Sequence, residues 1–180
     1  MKEPISKWSI FFNNSLMTIK VISEEQDIKA YYALLRHAVS EESQFFRIAS
    51  SDLDNEVFPT GNSHESFTLG AFSEEGILQG TVGFKREILS KLKHKGLIFR
   101  MYVASGAKGT GMGRKLLKAA IEHAKKSESL KQIYLTLVAS NERAKNLYLS
   151  EGFEIFSLEK NSIQMSENEF ADEASMILHL

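Results

Sequence analysis

Three glycines at alternate positions, Gly109, Gly111 and Gly113, stand among the cations Lys108, Arg114 and Lys115, and this is where the 180-residue chain is best equipped for chemistry. Glycine lets the backbone bend sharply and lets a ligand lie directly against its N–H groups. The turn follows an apolar segment, Leu97 to Val103, and leads into one where Leu116, Leu117, Ala120, Ile121 and Ala124 share a helical face. A helix that starts here aims unpaired N–H groups and the positive end of its dipole at the turn. The guest this arrangement predicts is an anion, with phosphate or pyrophosphate the natural form.

Two nucleotide-binding patterns fail at this turn. A triphosphate loop needs G-x-x-x-x-G-K-[ST], and Gly106 to Gly111 has that glycine spacing but continues with Met112-Gly113. The dinucleotide pattern G-x-G-x-x-G fails because Gly109 and Gly111 are followed by Met112-Gly113, and position 116, after Gly111 and Gly113, is Leu.

The rest of the composition narrows the chemistry by exclusion. There is no cysteine, which removes disulfides, thiolate metal sites and a cysteine nucleophile together. The five histidines, His37, His64, His94, His123 and His179, are scattered without paired ligand spacing, so no metal is expected. Formal net charge is −1, which argues against a nucleic-acid partner, since such proteins carry a basic excess or stripe. In the first 16 residues the only apolar run is Ile10 to Phe12, too short for a signal core or a membrane span. A cytoplasmic address and no membrane partner are the expectation. Residues 1–16 read either as an extension ahead of a single domain at 17–180 or as an ordinary first strand or loop containing Trp8.

The elements that must position the turn follow from periodicity. Residues 18–22 suit a first strand, and Ser23 with Glu24 and Glu25 suits the start of an amphipathic helix carrying Ile28, Tyr31, Tyr32, Leu34, Leu35 and Ala38. A second helix is expected near Ser40, bearing Phe45, Phe46 and Ile48, and then a loop over 50–66. Residues 67–72 and 78–87 read as a hairpin, with Gly70, Gly80 and Gly83 weakening both strands. After the turn come a helix over 113–126, a strand at 133–138, a helix capped by Ser140 or Asn141 and stopped by Gly152, and strands at 153–158 and 175–180. The order is β-α-α-β-β-β-α-β-α-β-β, an α/β (α+β) chain with a mixed central sheet of about six to seven strands and about four helices.

Two blocks in this order resemble the GCN5-related N-acetyltransferase (GNAT) family. The family's coenzyme A signature, [RQ]-x-x-G-x-[GA] between a strand and a long helix, is read here as Lys108-Gly109-Thr110-Gly111-Met112-Gly113, with Lys in place of Arg or Gln. Lysine keeps the charge but lacks a planar hydrogen-bonding fork. The second block, N-x-x-A-x-x-L-Y-x-x-x-G-F, has Asn141, Ala144, Leu147, Tyr148, Gly152 and Phe153 in register. The resemblance implies acetyl-CoA as cosubstrate, with its pyrophosphate on the N–H groups of Gly109 to Arg114. It also implies a pantetheine arm pairing with Met101, Tyr102 and Val103, and a splay between that strand and the one at 133–138. Asn141 falls at a pantetheine contact and Tyr148 at the proton donor to the departing thiolate.

The acceptor implied is a small-molecule or peptide primary amine, attacked directly in a ternary complex. Such an amine has a pKa of about 10.4 and must lose a proton before attack. Family members often carry a carboxylate on the strand at 97–103, whereas this chain has Arg100, so the base falls to Glu87, Glu56 or His64 acting through water. Glu41, Glu42, Asp52, Asp54, Glu56 and Glu65 suggest an acidic mouth that attracts an amine, or simply a solvated face, with Phe45, Phe46 and Phe58 nearby as pocket lining or core. The rival reading is an acyl-CoA binding or sensing module without turnover. Homodimers are common in the family, so a homodimer is a further expectation, with no sequence feature marking its surface.

Overall fold

A computed structural model describes residues 10–11 and 17–180. Its strands are β1 (Ile10–Phe11), β2 (Thr18–Val21), β3 (Ser66–Phe72), β4 (Leu78–Arg86), β5 (Lys95–Val103), β6 (Gln132–Val138), β7 (Glu154–Ser166) and β8 (Glu169–His179). Three α-helices occur among the described residues: α1 (Glu25–Glu41), α2 (Met112–Ala124) and α3 (Glu142–Ser150). The strands form one sheet in the order β1-β2-β3-β4-β5-β6-β8-β7. Every pairing is antiparallel except β5 with β6, the pair that α2 connects. The mixed sheet is therefore as expected. Apart from Ile10 and Phe11, which pair with β2, the N-terminal extension lies outside the described residues.

The helix expected from Ser40 does not form. Ser40 belongs to the last turn of α1, and two short 3₁₀ turns follow at Ser43–Phe45 and Ser50–Leu53. Serines and aspartates in this stretch compete for backbone groups, as where Asp52 accepts from the Ala49 N–H at 2.8 Å, and that competition breaks a continuous helix. Nor does Ser23 cap α1: Glu24 is the capping residue, with no side-chain hydrogen bond. The C-terminal hairpin also exceeds its expected length, because β7 is solvent-exposed along nearly its whole course and carries no apolar alternation to read.

Consecutive residues Ala71 and Phe72 belong to two separate apolar clusters, so α1 and α2 cover opposite faces of the sheet. Leu116, Leu117, Ala120 and Ala124 of α2 are fully buried with Val82, Phe84, Ile133 and Leu135. On the other face Tyr31 and Leu35 of α1 pack with Ile22, Leu53, Phe72 and Leu78. Gly83 serves this packing: a Cβ there would lie 2.6 Å from the Phe99 ring, so the glycine leaves room for a neighbouring strand's aromatic side chain.

Beneath β3, His64 Nδ1 and His123 Nε2 are 3.1 Å apart, and the His123 ring meets Phe67 edge-on. Burial first, then the charges of His64 and Lys126, lowers the His123 pKa to about 4. The unfolded chain therefore binds a proton here between about pH 6.5 and pH 4 that the folded chain refuses. Stability from this group is complete above pH 6.5 and falls by about 3 kcal/mol by pH 4. Thermal melts across that range are expected to show the loss in the wild type and a flatter acid limb in His123→Leu.

Candidate functional site

The parallel pairing of β5 with β6 covers only Lys95–Leu97 against Gln132–Tyr134. Beyond it the strands part. On its other side β5 carries a bulge: Phe99 pairs with Gly83 and Tyr102 with Thr81, so Arg100 and Met101 together oppose Val82. Arg100 takes a left-handed φ of 50° to make this bend. A non-glycine residue in that region costs about 1–2 kcal/mol, and here the side chain is held in return. Arg100 makes a double hydrogen bond to Glu56, at 2.5 and 2.6 Å, and donates to the Tyr31 hydroxyl at 3.3 Å.

The opening between the strands is a cavity of about 690 Å³. Met101, Tyr102, Val103, Lys108, Gly109, Gly111, Met112, Gly113, Arg114, Asn141 and Tyr148 all line it. Thr110 does not, and its hydroxyl instead donates to the Ala107 carbonyl at 2.7 Å, bracing the turn from behind. Gly111 caps α2 in the left-handed region at φ 82°, and Gly109 has φ 80°. A Cβ on either would meet nothing within 4 Å, so the space above the turn is open to a guest. The first turn of α2 holds no acidic residue to compete for its N–H groups.

Asn141 caps α3, its side-chain oxygen accepting from the Ala144 N–H at 3.1 Å. This fixes the helix so that Tyr148, two turns on, stands in the cavity wall only 7% exposed, its ring tilted against Phe153. Burial pushes the Tyr148 hydroxyl well above the usual phenol range. A phenol in that state keeps its proton and can act only as a donor over the ordinary pH range.

None of the sequence candidates for the base lines the cavity. Glu87 accepts the Tyr134 hydroxyl, Glu56 is held by Arg100, and His64 faces His123. The acidic mouth is likewise dispersed: Asp54 pairs with Arg36 and Glu65 with Arg86. Among the described residues one carboxylate lines the cavity, Glu42 just past α1, paired with Lys108 and, at 3.4 Å, with Arg143. Five cationic side chains line it too: Arg47, Arg100, Lys108, Arg114 and Arg143. Arg47, which the sequence did not single out, is held by Glu173 at 2.5 Å. Phe45 and Phe46 line the cavity, whereas Phe58 packs on Tyr31 and Tyr32. No group of three or more histidine, aspartate, glutamate or cysteine side chains is placed to hold a metal ion among the described residues.

An open glycine turn at a helix start, beside two strands that part, agrees with what the sequence blocks imply, and the acetyltransferase (GNAT) family matches the chain over residues 30–153. The chain belongs to the GNAT family. Among solved structures, a GNAT-family acetyltransferase from Streptococcus pneumoniae is 25% identical, with a TM-score of 0.78 over 91% of this chain and 99% of that one. A GCN5-related N-acetyltransferase from Kribbella flavida shares the fold at 20% identity, with a TM-score of 0.77 over 91% of this chain and 98% of the other. A putative acetyltransferase from Salmonella typhimurium, solved with its cofactor acetyl-CoA, has a TM-score of 0.70 at 19% identity, over 92% of this chain and 95% of the other. Among curated proteins none matches this sequence. The chain thus has the fold of a family whose general reaction is acyl transfer, and no helix among the described residues is long and apolar enough to cross a membrane.

Proposed function

We propose that this GNAT protein transfers the acetyl group of acetyl-CoA to a primary amine by direct attack in a ternary complex. The observation that carries the reading is that the glycine turn, the parted strands and Tyr148 all face one cavity. The N–H groups of Gly109 to Arg114 hold the pyrophosphate, aided by the start of the α2 dipole. Past the bulge, the β5 backbone at Met101 to Val103 has no strand partner on its β6 side among the described residues, which leaves it to pair with the pantetheine amides. Asn141 joins this wall while capping α3.

Acyl transfer to an amine breaks the thioester carbon–sulfur bond and forms a carbon–nitrogen bond. The sulfur leaves as a thiolate, which resembles a free thiol of pKa about 8.5, so a buried phenol of raised pKa gives up its proton to it only in step with receiving another. Tyr148, buried and protonated, supplies that proton and regains one from the new amide nitrogen. No cysteine exists to carry the acyl group, which supports direct transfer.

Calorimetry with acetyl-CoA and coenzyme A tests the reading first, and absence of binding at high micromolar ligand would sink it. Thiol release with a panel of primary amines tests turnover. Tight coenzyme binding with no release across the panel would favour the acyl-CoA binding module, a reading supported by the lysine at 108 and by the lack of a carboxylate on β5.

A further inference from the structure

The cavity wall already holds a primary ammonium, that of Lys108. It is bound to the Glu42 carboxylate and sits 5.3 Å from the centroid of the Tyr102 ring. Both side chains of the ion pair are only 18% exposed. Tyr102 is 6% exposed, its ring leans on Phe46 at 5.9 Å between centroids, and its buried hydroxyl has no hydrogen-bond partner among the described residues. A carboxylate with an aromatic face beside it is a binding site for an alkylammonium, and the two contributions add most where water is excluded.

We infer that Glu42 and the Tyr102 ring form the subsite for the ammonium group of the acceptor, and that Lys108 occupies this subsite in the free protein. This rests on the N-acetyltransferase reading above and deepens it. The placement suits an acceptor. Along β5, Met101 and Val103 face α2, since a Cβ on Gly113 would lie 3.7 Å from each. Tyr102 therefore faces the α1 side, where Phe46 and Glu42 lie. An amine enters from that side while the coenzyme arm lies toward α2 and α3.

Lys108 also begins the glycine turn, beside the N–H groups proposed to hold the pyrophosphate, and in the free protein its ammonium is turned to Glu42. Burial, then the charge of Arg143, lowers its pKa, so the ammonium is held in this place against a cost. Arrival of the coenzyme draws Lys108 toward the phosphates and vacates the subsite for a second ammonium. Arg143 stays near Glu42 and keeps the carboxylate oriented.

Glu42→Gln and Lys108→Met, each close to its parent in size, test this, with circular dichroism to confirm folding. By calorimetry, Glu42→Gln is expected to bind coenzyme A about threefold to tenfold more tightly than wild type, because Lys108 no longer has to leave an ion pair. Titrated with n-butylammonium chloride in the absence of coenzyme, Lys108→Met is expected to bind it. The wild type and the double variant Lys108→Met/Glu42→Gln are expected not to. Coenzyme A affinity unchanged or weaker in Glu42→Gln, or equal butylammonium binding by Lys108→Met and the double variant, would overturn the inference. A wild type that binds no coenzyme A at all would instead sink the N-acetyltransferase reading, leaving the butylammonium comparison to decide the subsite alone.

Discussion

Tyr148→Phe is expected to lower kcat by about a hundredfold to a thousandfold while leaving the KM for acetyl-CoA within about twofold, because it removes a proton donor needed only as the thiolate departs. The ring stays, so the packing on Phe153 stays with it. Stability should move by less than about 1 kcal/mol, since among the described residues none is hydrogen-bonded to the deleted hydroxyl. The pH profile separates catalysis from structure. A tyrosine at its ordinary value would begin to lose its proton near pH 10 and impose a falling alkaline limb. Burial pushes Tyr148 above that, so the wild-type kcat should keep rising as the amine deprotonates, with no fall near pH 10. Steady-state rates from pH 7 to pH 10.5 for both proteins check this. A variant with near wild-type kcat would assign Tyr148 to packing alone.

Gly111→Val is expected to cut coenzyme A affinity by about a hundredfold, as the loss of two or three charge-assisted N–H contacts implies. Two effects act in the same direction. At φ 82° a β-branched side chain is strained whatever space surrounds it, by about 1–2 kcal/mol or more, so the turn relaxes and its N–H groups lose their aim. The new methyl groups also enter the open space above the turn, where the phosphates would lie. Gly106→Ala is the control. That glycine has equal room for a Cβ, a φ outside the left-handed region, and no place in the cavity lining. Calorimetry on the three proteins should find Gly106→Ala equal to wild type.

How much of this site could be read from the chain depended on distance along it. The glycine turn was legible as a cavity wall because Gly109, Gly111 and Gly113 shape their own backbone and need only the adjacent strand and helix. Asn141 and Tyr148 were legible for a similar reason, since one helix sets their separation. Glu42 was seen only as one of six scattered acids. What distinguishes it is the pairing with Lys108 and Arg143, residues 66 and 101 positions away that only the fold brings to the end of α1. The bulge at Arg100 had no signal at all, because an arginine at positive φ is marked by its contacts with Glu56 and Tyr31 rather than by its type. The long C-terminal hairpin was missed because strands such as β7, exposed on both faces, need no apolar period to persist once β8 is pinned against β6.

The short β5–β6 ladder has a mechanical side. Backbone pairing joins β1–β5 to β6–β8–β7 through three residue pairs alone, at one end of the strands. The sheet is therefore a hinged leaf with a seam, closed at Lys95–Leu97 and free at Val103 and Val138. A ligand lying in the seam would supply cross-links that the two strands lack, so its binding would also stabilise the sheet.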